Sequence, residues 1–103
     1  MWIFSQDGFF SIVQKGDQFH VRARRKQDLV NLGLCATKSY AGSDYPWRTI
    51  LPKRAELLML LEKLGKSVDH PNFKARIAER PDQRNRLGEY HKIWGLMSKE
   101  GES

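Results

Sequence analysis

Residues 19–26 read Phe-His-Val-Arg-Ala-Arg-Arg-Lys, and apolar and basic side chains alternate from Phe19 to Arg24. Because successive side chains of a β-strand point to opposite faces of the sheet, this period of two predicts a half-buried strand. Phe19, Val21 and Ala23 are expected to face a core. The basic side chains then form a cationic row on the other face: His20, Arg22 and Arg24.

The segments on either side of this strand predict further strands. Residues 2–4 and 9–13 are aromatic and β-branched, and the Asp-Gly pair between them is a strong turn signal, which predicts a hairpin or one bent strand. Residues 37–41 and 47–51 are the next strand candidates. They are joined by Gly-Ser-Asp at 42–44, a second turn signal.

Four segments are predicted to be helical. They cover residues 27–32, 52–64, 71–80 and the residues from about 84 onward. Gly33 closes the first helix because glycine readily adopts the left-handed conformation that ends helices. Pro52 and Pro71 suit a first helical turn, where a missing N–H costs nothing. The leucines of the second helix have the spacing of a core-facing stripe.

The order of these elements predicts an α+β fold, with an antiparallel sheet of about four strands and helices packed on one face. A repeat at an offset of 28 aligns Phe19 with Trp47 and residues 28–30 with residues 56–58, and each half of the repeat reads strand, turn, strand, helix. The chain is therefore interpreted as two ββα-like units followed by C-terminal helices, and a ferredoxin-like arrangement also fits. Residues 1–98 are predicted to form a single α+β domain, and residues 99–103 a polar tail that frays.

The composition favours an anionic partner. The 103 residues include 18 Lys and Arg and 12 Asp and Glu, which gives a net charge of +6. Such a charge favours solubility, and it attracts nucleic acid, acidic proteins or anionic membrane surfaces without distinguishing among them. The single cysteine, Cys35, excludes an intramolecular disulfide and is interpreted as a small core residue, so a reducing, cytoplasmic location is expected. No apolar run approaches the twenty residues of a membrane span, so no membrane partner is expected.

The candidate site is the cationic row with its neighbours. Five basic residues stand against Asp17 alone within residues 15–26. Arginine presents a planar fork that matches phosphate oxygens, and aromatic side chains stack on bases. Tyr40 is a further stacking candidate, whereas Trp47 has the phase of the core. The predicted nucleic-acid-binding residues are Lys15, His20, Arg22, Arg24, Arg25, Lys26, Tyr45 and Arg48.

These observations leave several functions open. The first hypothesis is a module that binds RNA or single-stranded DNA through the cationic sheet face. A merely solvated basic face explains the same alternation, because a sheet covered by helices on one side is polar on the other. A second hypothesis is a protein-interaction module, or a phage-related regulator or inhibitor, that docks an acidic partner. A third is a nuclease that uses His20 or His70 as acid or base.

No spacing in the sequence demands an enzyme. The three histidines are scattered, and no pair of His or carboxylate residues has the spacing that places two metal ligands on one helical face. The segment Asp69-His70-Pro71-Asn72 is interpreted as a helix entrance with Asp69 or His70 near the cap. We therefore predict no catalytic residue, no metal site and no cofactor, and the oligomeric state is left open.

Short segments along most of the chain carry a resemblance to a known family. They are Met1-Trp2-Ile3-Phe4, residues 7–13, Val21-Arg22-Ala23-Arg24, Asp44-Tyr45 with Arg48, Asp69 with Asn72-Phe73-Lys74, and Trp94. Together they resemble small uncharacterised bacterial proteins that open with Met-Trp-aliphatic-Phe and an Asp-Gly-aromatic turn. The family has no established activity, so the resemblance implies no function. At His70 the family usually has Tyr, which argues against a catalytic role for His70.

Overall fold

The computed structural model describes residues 1–39 and 42–101, and within them the chain forms one antiparallel sheet of five strands and four α-helices. The strands are β1 (Trp2–Ser5), β2 (Gly8–Lys15), β3 (Gln18–Ala23), β4 (Thr37–Lys38) and β5 (Trp47–Leu51). The helices are α1 (Lys26–Asn31), α2 (Arg54–Lys66), α3 (Phe73–Glu79) and α4 (Leu87–Ser98), and a 3-10 turn at Arg84–Arg86 precedes α4. The predicted α+β class is confirmed.

The chain divides into two compact units, Met1–Asp69 and His70–Ser103. The first unit contains the sheet with α1 and α2, and the second contains α3, the 3-10 turn and α4. The single domain expected over residues 1–98 stays a prediction. In the expected tail, the backbone N–H groups of Lys99 and Glu100 still donate to the last turn of α4, and residues 102 and 103 lie outside the described residues.

The sheet has the strand order β1-β2-β3-β5-β4. The first three strands follow one another as hairpins, whereas β3 and β5 pair across the sheet with Phe19 opposite Leu51. The two ββα units are therefore β2-β3-α1 and β4-β5-α2, and they join through their second strands. This order differs from the interleaved one of a ferredoxin-like sheet, and β1 adds a fifth strand at the edge.

The hydrophobic core lies between one face of the sheet and the helices α1 and α2. Alternate residues of the strands and the inward positions of both helices fill it: Phe10, Ile12, Phe19, Val21, Ala23, Leu29, Leu32, Leu51, Leu57, Leu60 and Leu64. The predicted phase of β3 is thus confirmed, and Trp47 packs half-buried against the same core. Cys35 is exposed, so its interpretation as a core residue is wrong.

Several predicted boundaries differ from the structure. The helix predicted from Pro52 begins at Arg54 and includes Gly65. The helix predicted from Pro71 begins at Phe73, because the Asn72 side chain is its N-cap and accepts a hydrogen bond from the Ala75 N–H at 3.0 Å. Strand β4 ends at Lys38, and residues 40 and 41 of its predicted extension, including Tyr40, lie outside the described residues.

The β1–β2 turn rests on a buried carboxylate of α1. Asp28 is fully buried, and its Oδ2 accepts a hydrogen bond from the Phe9 N–H at 3.4 Å. Gly8 has a positive φ of 152°, and a Cβ added there would lie 2.4 Å from the Asp28 Cγ. The Asn31 side-chain amide also donates to the Asp7 carbonyl at 2.9 Å. Only glycine fits between this turn and the first turn of α1.

We expect Gly8→Ala to destabilise the protein by about 2 kcal/mol, because the added methyl group forces the turn away from Asp28. The matched control is Gly65→Ala, which adds the same methyl group within α2 where nothing lies within 4 Å. That change should stabilise the protein by up to about 1 kcal/mol. Denaturant unfolding measures both, and equal effects of the two substitutions would contradict the contact between Gly8 and Asp28.

Candidate nucleic-acid interface

The candidate interface is the sheet face opposite the core, which we call the second face. Side chains that alternate with the core positions form it: Trp2, Phe4, Phe9, Ser11, Val13, Lys15, His20, Arg22, Thr37, Arg48 and Ile50. The pairing of Arg22 with Arg48 across β3 and β5 places the two guanidinium groups on neighbouring strands. Arg48 thus lies beside Arg22 on this face, as the sequence pattern suggested, and its role in binding stays a prediction.

Short-range contacts hold both arginines in place. The Arg22 Nη2 donates to the Ser11 hydroxyl at 2.7 Å, and its guanidinium carbon lies 4.5 Å from the centre of the Tyr45 ring. The Arg48 Nη2 donates to the Ser39 hydroxyl at 3.0 Å. Among residues 1–39 and 42–101, neither guanidinium forms a salt bridge with a carboxylate, and the Nε atoms of both are buried without a hydrogen-bond partner.

His20 lies on the predicted face but is not part of an exposed row, because only 8% of its surface is accessible. Its pKa is lowered from 6.5, first by burial and then by the positive charges of Lys15, Arg48 and Arg22. The ring is therefore neutral at neutral pH. Its Nδ1 lies 3.3 Å from the Arg48 Nη1, so the ring accepts a hydrogen bond from Arg48 and does not itself supply a cation.

A chain of aromatic rings runs along the second face toward Arg22. Phe4 and Phe9 stack with their centres 4.8 Å apart, and Trp2 meets Phe9 edge to face at 6.0 Å. Phe9 lies 6.3 Å from Tyr45, the ring that Arg22 covers. The Trp2 side chain is 67% exposed. The second face thus combines aromatic surface with arginine.

Trp2, Phe4 and Phe9 are not among the site residues predicted from the sequence. The sequence contains a signal for them, because a two-residue turn between Ser5 and Gly8 places these rings on the sheet face opposite to Ile3 and Phe10. Both strands are apolar on both faces, however, so their pattern alone does not tell core from surface.

The remaining predicted residues are distributed around the second face. Lys15 is exposed at the end of β2, and Arg24 lies just beyond β3 and donates to the carbonyl of Asp44. Arg25 is the N-cap residue of α1. The Lys26 Nζ lies 5.4 Å from the ring centre of Trp47, a residue on the core side of the sheet. Lys26 therefore does not extend the cationic row.

The other two histidines lie outside the compact unit that contains the sheet. His70 and His91 belong to the second compact unit, where His91 stacks on Trp94 with ring centres 5.7 Å apart. Within residues 1–39 and 42–101, no group of three or more His, Cys, Asp or Glu side chains could hold a metal ion. Over the same residues, no helix combines the length and the apolar character needed to cross a membrane.

Comparison of the chain with protein-family models, curated proteins and solved structures finds no match. The function is therefore argued from the geometry of the second face.

The lowered pKa of His20 makes stability depend on pH. The unfolded state binds a proton near pH 6.5 and the folded state only at lower pH, so the free energy of unfolding should fall as pH drops below about 6.5. His20→Gln keeps an acceptor for Arg48 but does not titrate, so we expect a smaller loss of stability between about pH 7.5 and about pH 5 in denaturant unfolding. Identical pH profiles for wild type and His20→Gln would refute this assignment.

Proposed function

We propose that the second face binds single-stranded nucleic acid, RNA or single-stranded DNA. The observation that carries the proposal is the placement of Arg22 over the Tyr45 ring, which neighbours Phe9, together with Arg48 opposite Arg22 on the next strand. Proteins that bind single strands combine cations along the backbone with aromatic side chains on which bases stack. The net charge of +6 supports the same class of partner.

The geometry favours a single strand over a duplex. A sheet face that carries rings contacts bases only when they are unpaired and turned outward. The exposed Trp2 ring offers such a contact, and Arg22 and Arg48 lie on the same face of the sheet. The proposal includes no cofactor and no catalytic step, and it keeps the cytoplasmic location expected from the single cysteine.

The arginines are tested through the salt dependence of binding. Arg22→Gln and Arg48→Gln should each weaken binding of a labelled oligonucleotide in fluorescence anisotropy. If each contacts one phosphate, each should also reduce the slope of log affinity against log salt by about 0.7. Arg54→Gln is the matched control, because its guanidinium lies 4.8 Å from the core ring of Phe19, and it should leave affinity nearly unchanged.

The stacking of bases on the aromatic rings is tested separately. Trp2→Ala should weaken oligonucleotide binding by about 1–3 kcal/mol, the contribution of one stacked base, and should leave the salt slope unchanged. Trp94→Ala, at a tryptophan 58% exposed in the second unit, is the control and should bind like wild type. Equal losses in the two tryptophan variants would contradict a specific role for Trp2.

A protein partner is the alternative outcome of these tests. Wild-type protein that retains no oligonucleotide at low salt overturns the proposal. If the same protein binds polyglutamate and loses it in Arg22→Gln and Arg48→Gln, the second face docks an acidic protein instead.

A further inference from the structure

We infer that Arg22 and Arg48 together form a site for one tetrahedral oxyanion of the phosphate class. The inference rests on the proposed function in one respect: there the oxyanion is a phosphodiester of the nucleic-acid backbone. Inorganic phosphate and sulfate share the same chemistry and serve as probes. The site lies between neighbouring strands of the second face, where the two arginines stand directly opposite each other.

The positive charges of Arg22 and Arg48 favour an anion between them. Directly opposite residues of an antiparallel pair lie close together, and like charges at such positions destabilise a sheet. No carboxylate among the described residues pairs with either guanidinium, and Lys15 adds a third positive charge that is felt at His20. A bound anion, either a phosphodiester with one negative charge or sulfate with two, reduces this repulsion.

The second argument is the fixed orientation of the two guanidinium groups. Ser11 and the Tyr45 ring hold Arg22, while Ser39 and His20 hold Arg48. Each guanidinium has five N–H groups, and these contacts use only Nη groups. Because both Nε atoms are shielded from solvent, an anion meets the Nη edges that remain. Side chains already held in one geometry lose little entropy when a ligand binds.

The third argument is the match between donors and ligand. The two planar guanidinium groups belong to directly opposite residues on the same sheet face, and tetrahedral oxyanions accept several N–H bonds at once. The neutral His20 ring acts as a positioning residue, because it orients Arg48 through Nη1. The oxyanion class therefore follows from the arginines and not from the surrounding lysines.

The test is thermal unfolding in increasing sulfate against chloride at constant ionic strength. A ligand that binds only the folded state raises the unfolding midpoint with a saturable concentration dependence. Wild type and Arg54→Gln should show this saturable shift, and sulfate should bind at least about tenfold more weakly to Arg22→Gln and Arg48→Gln. The general salting effect of sulfate appears equally in all four proteins and is subtracted through the variants.

A second measurement keeps the inference testable if a glutamine variant is poorly folded. In wild-type protein, the NMR signals of the two guanidinium groups should shift together during a sulfate titration, whereas that of Arg54 should not. Arg22→Lys keeps the positive charge but replaces the planar guanidinium with an ammonium group. It should weaken sulfate binding although the net charge of the protein is unchanged. Equal sulfate responses in wild type and all variants would overturn the site.

The outcomes separate this inference from the proposed function. A saturable sulfate effect that depends on Arg22 and Arg48, without oligonucleotide binding, supports the anion site and overturns the nucleic-acid proposal. Oligonucleotide binding that depends on both arginines, without any sulfate effect, overturns the anion site and leaves the proposed function standing.

Discussion

The constraint on which this structure depends is the period of two along β3. This strand lies between β2 and β5, and it buries Val21 and Ala23 completely. A shift of one residue would turn those side chains out of the core and arginine into it, so burial fixes the register. The same register places Arg22 opposite both Ser11 and Arg48. The composition of the second face is therefore a consequence of how the core is filled.

Local pattern predicted much of the fold, because its strongest signals are local. Each of these signals lies within one turn, strand or helix: the alternation in β3, the glycine after α1 and the leucine spacing of α2. The repeated ββα order follows from them. Long-range pairing was not readable in the same way. The His20 ring contacts Arg48, which lies 28 residues further along the chain, on β5. Lys26 is the first residue of α1, and its side chain lies over the ring of Trp47 on β5. This contact between distant residues was likewise not readable from the local pattern.

The pair of arginines gives the second face its positive charge but lowers the stability of the sheet. Two guanidinium groups on opposed positions repel each other, and their buried Nε atoms lack partners within the described residues. Hydrogen bonds to Ser11, Ser39 and His20 and the stack on Tyr45 offset part of this cost. Burial in the core of the first unit offsets the rest, since β3 contributes Phe19, Val21 and Ala23 to that core.

The two faces of the sheet are coupled through the β1–β2 hairpin. Its rings lie on the second face, but its turn is fixed from the core side, where Asp28 of α1 accepts from the Phe9 N–H and leaves room only for Gly8. The buried Gln6 donates from the same turn to the Ser67 carbonyl beyond α2. Because a hairpin held at its turn cannot slide against its neighbours, these contacts set where Trp2 and Phe9 stand relative to Arg22. Residues that touch no ligand thus determine the spacing between the aromatic and the cationic parts of the candidate interface.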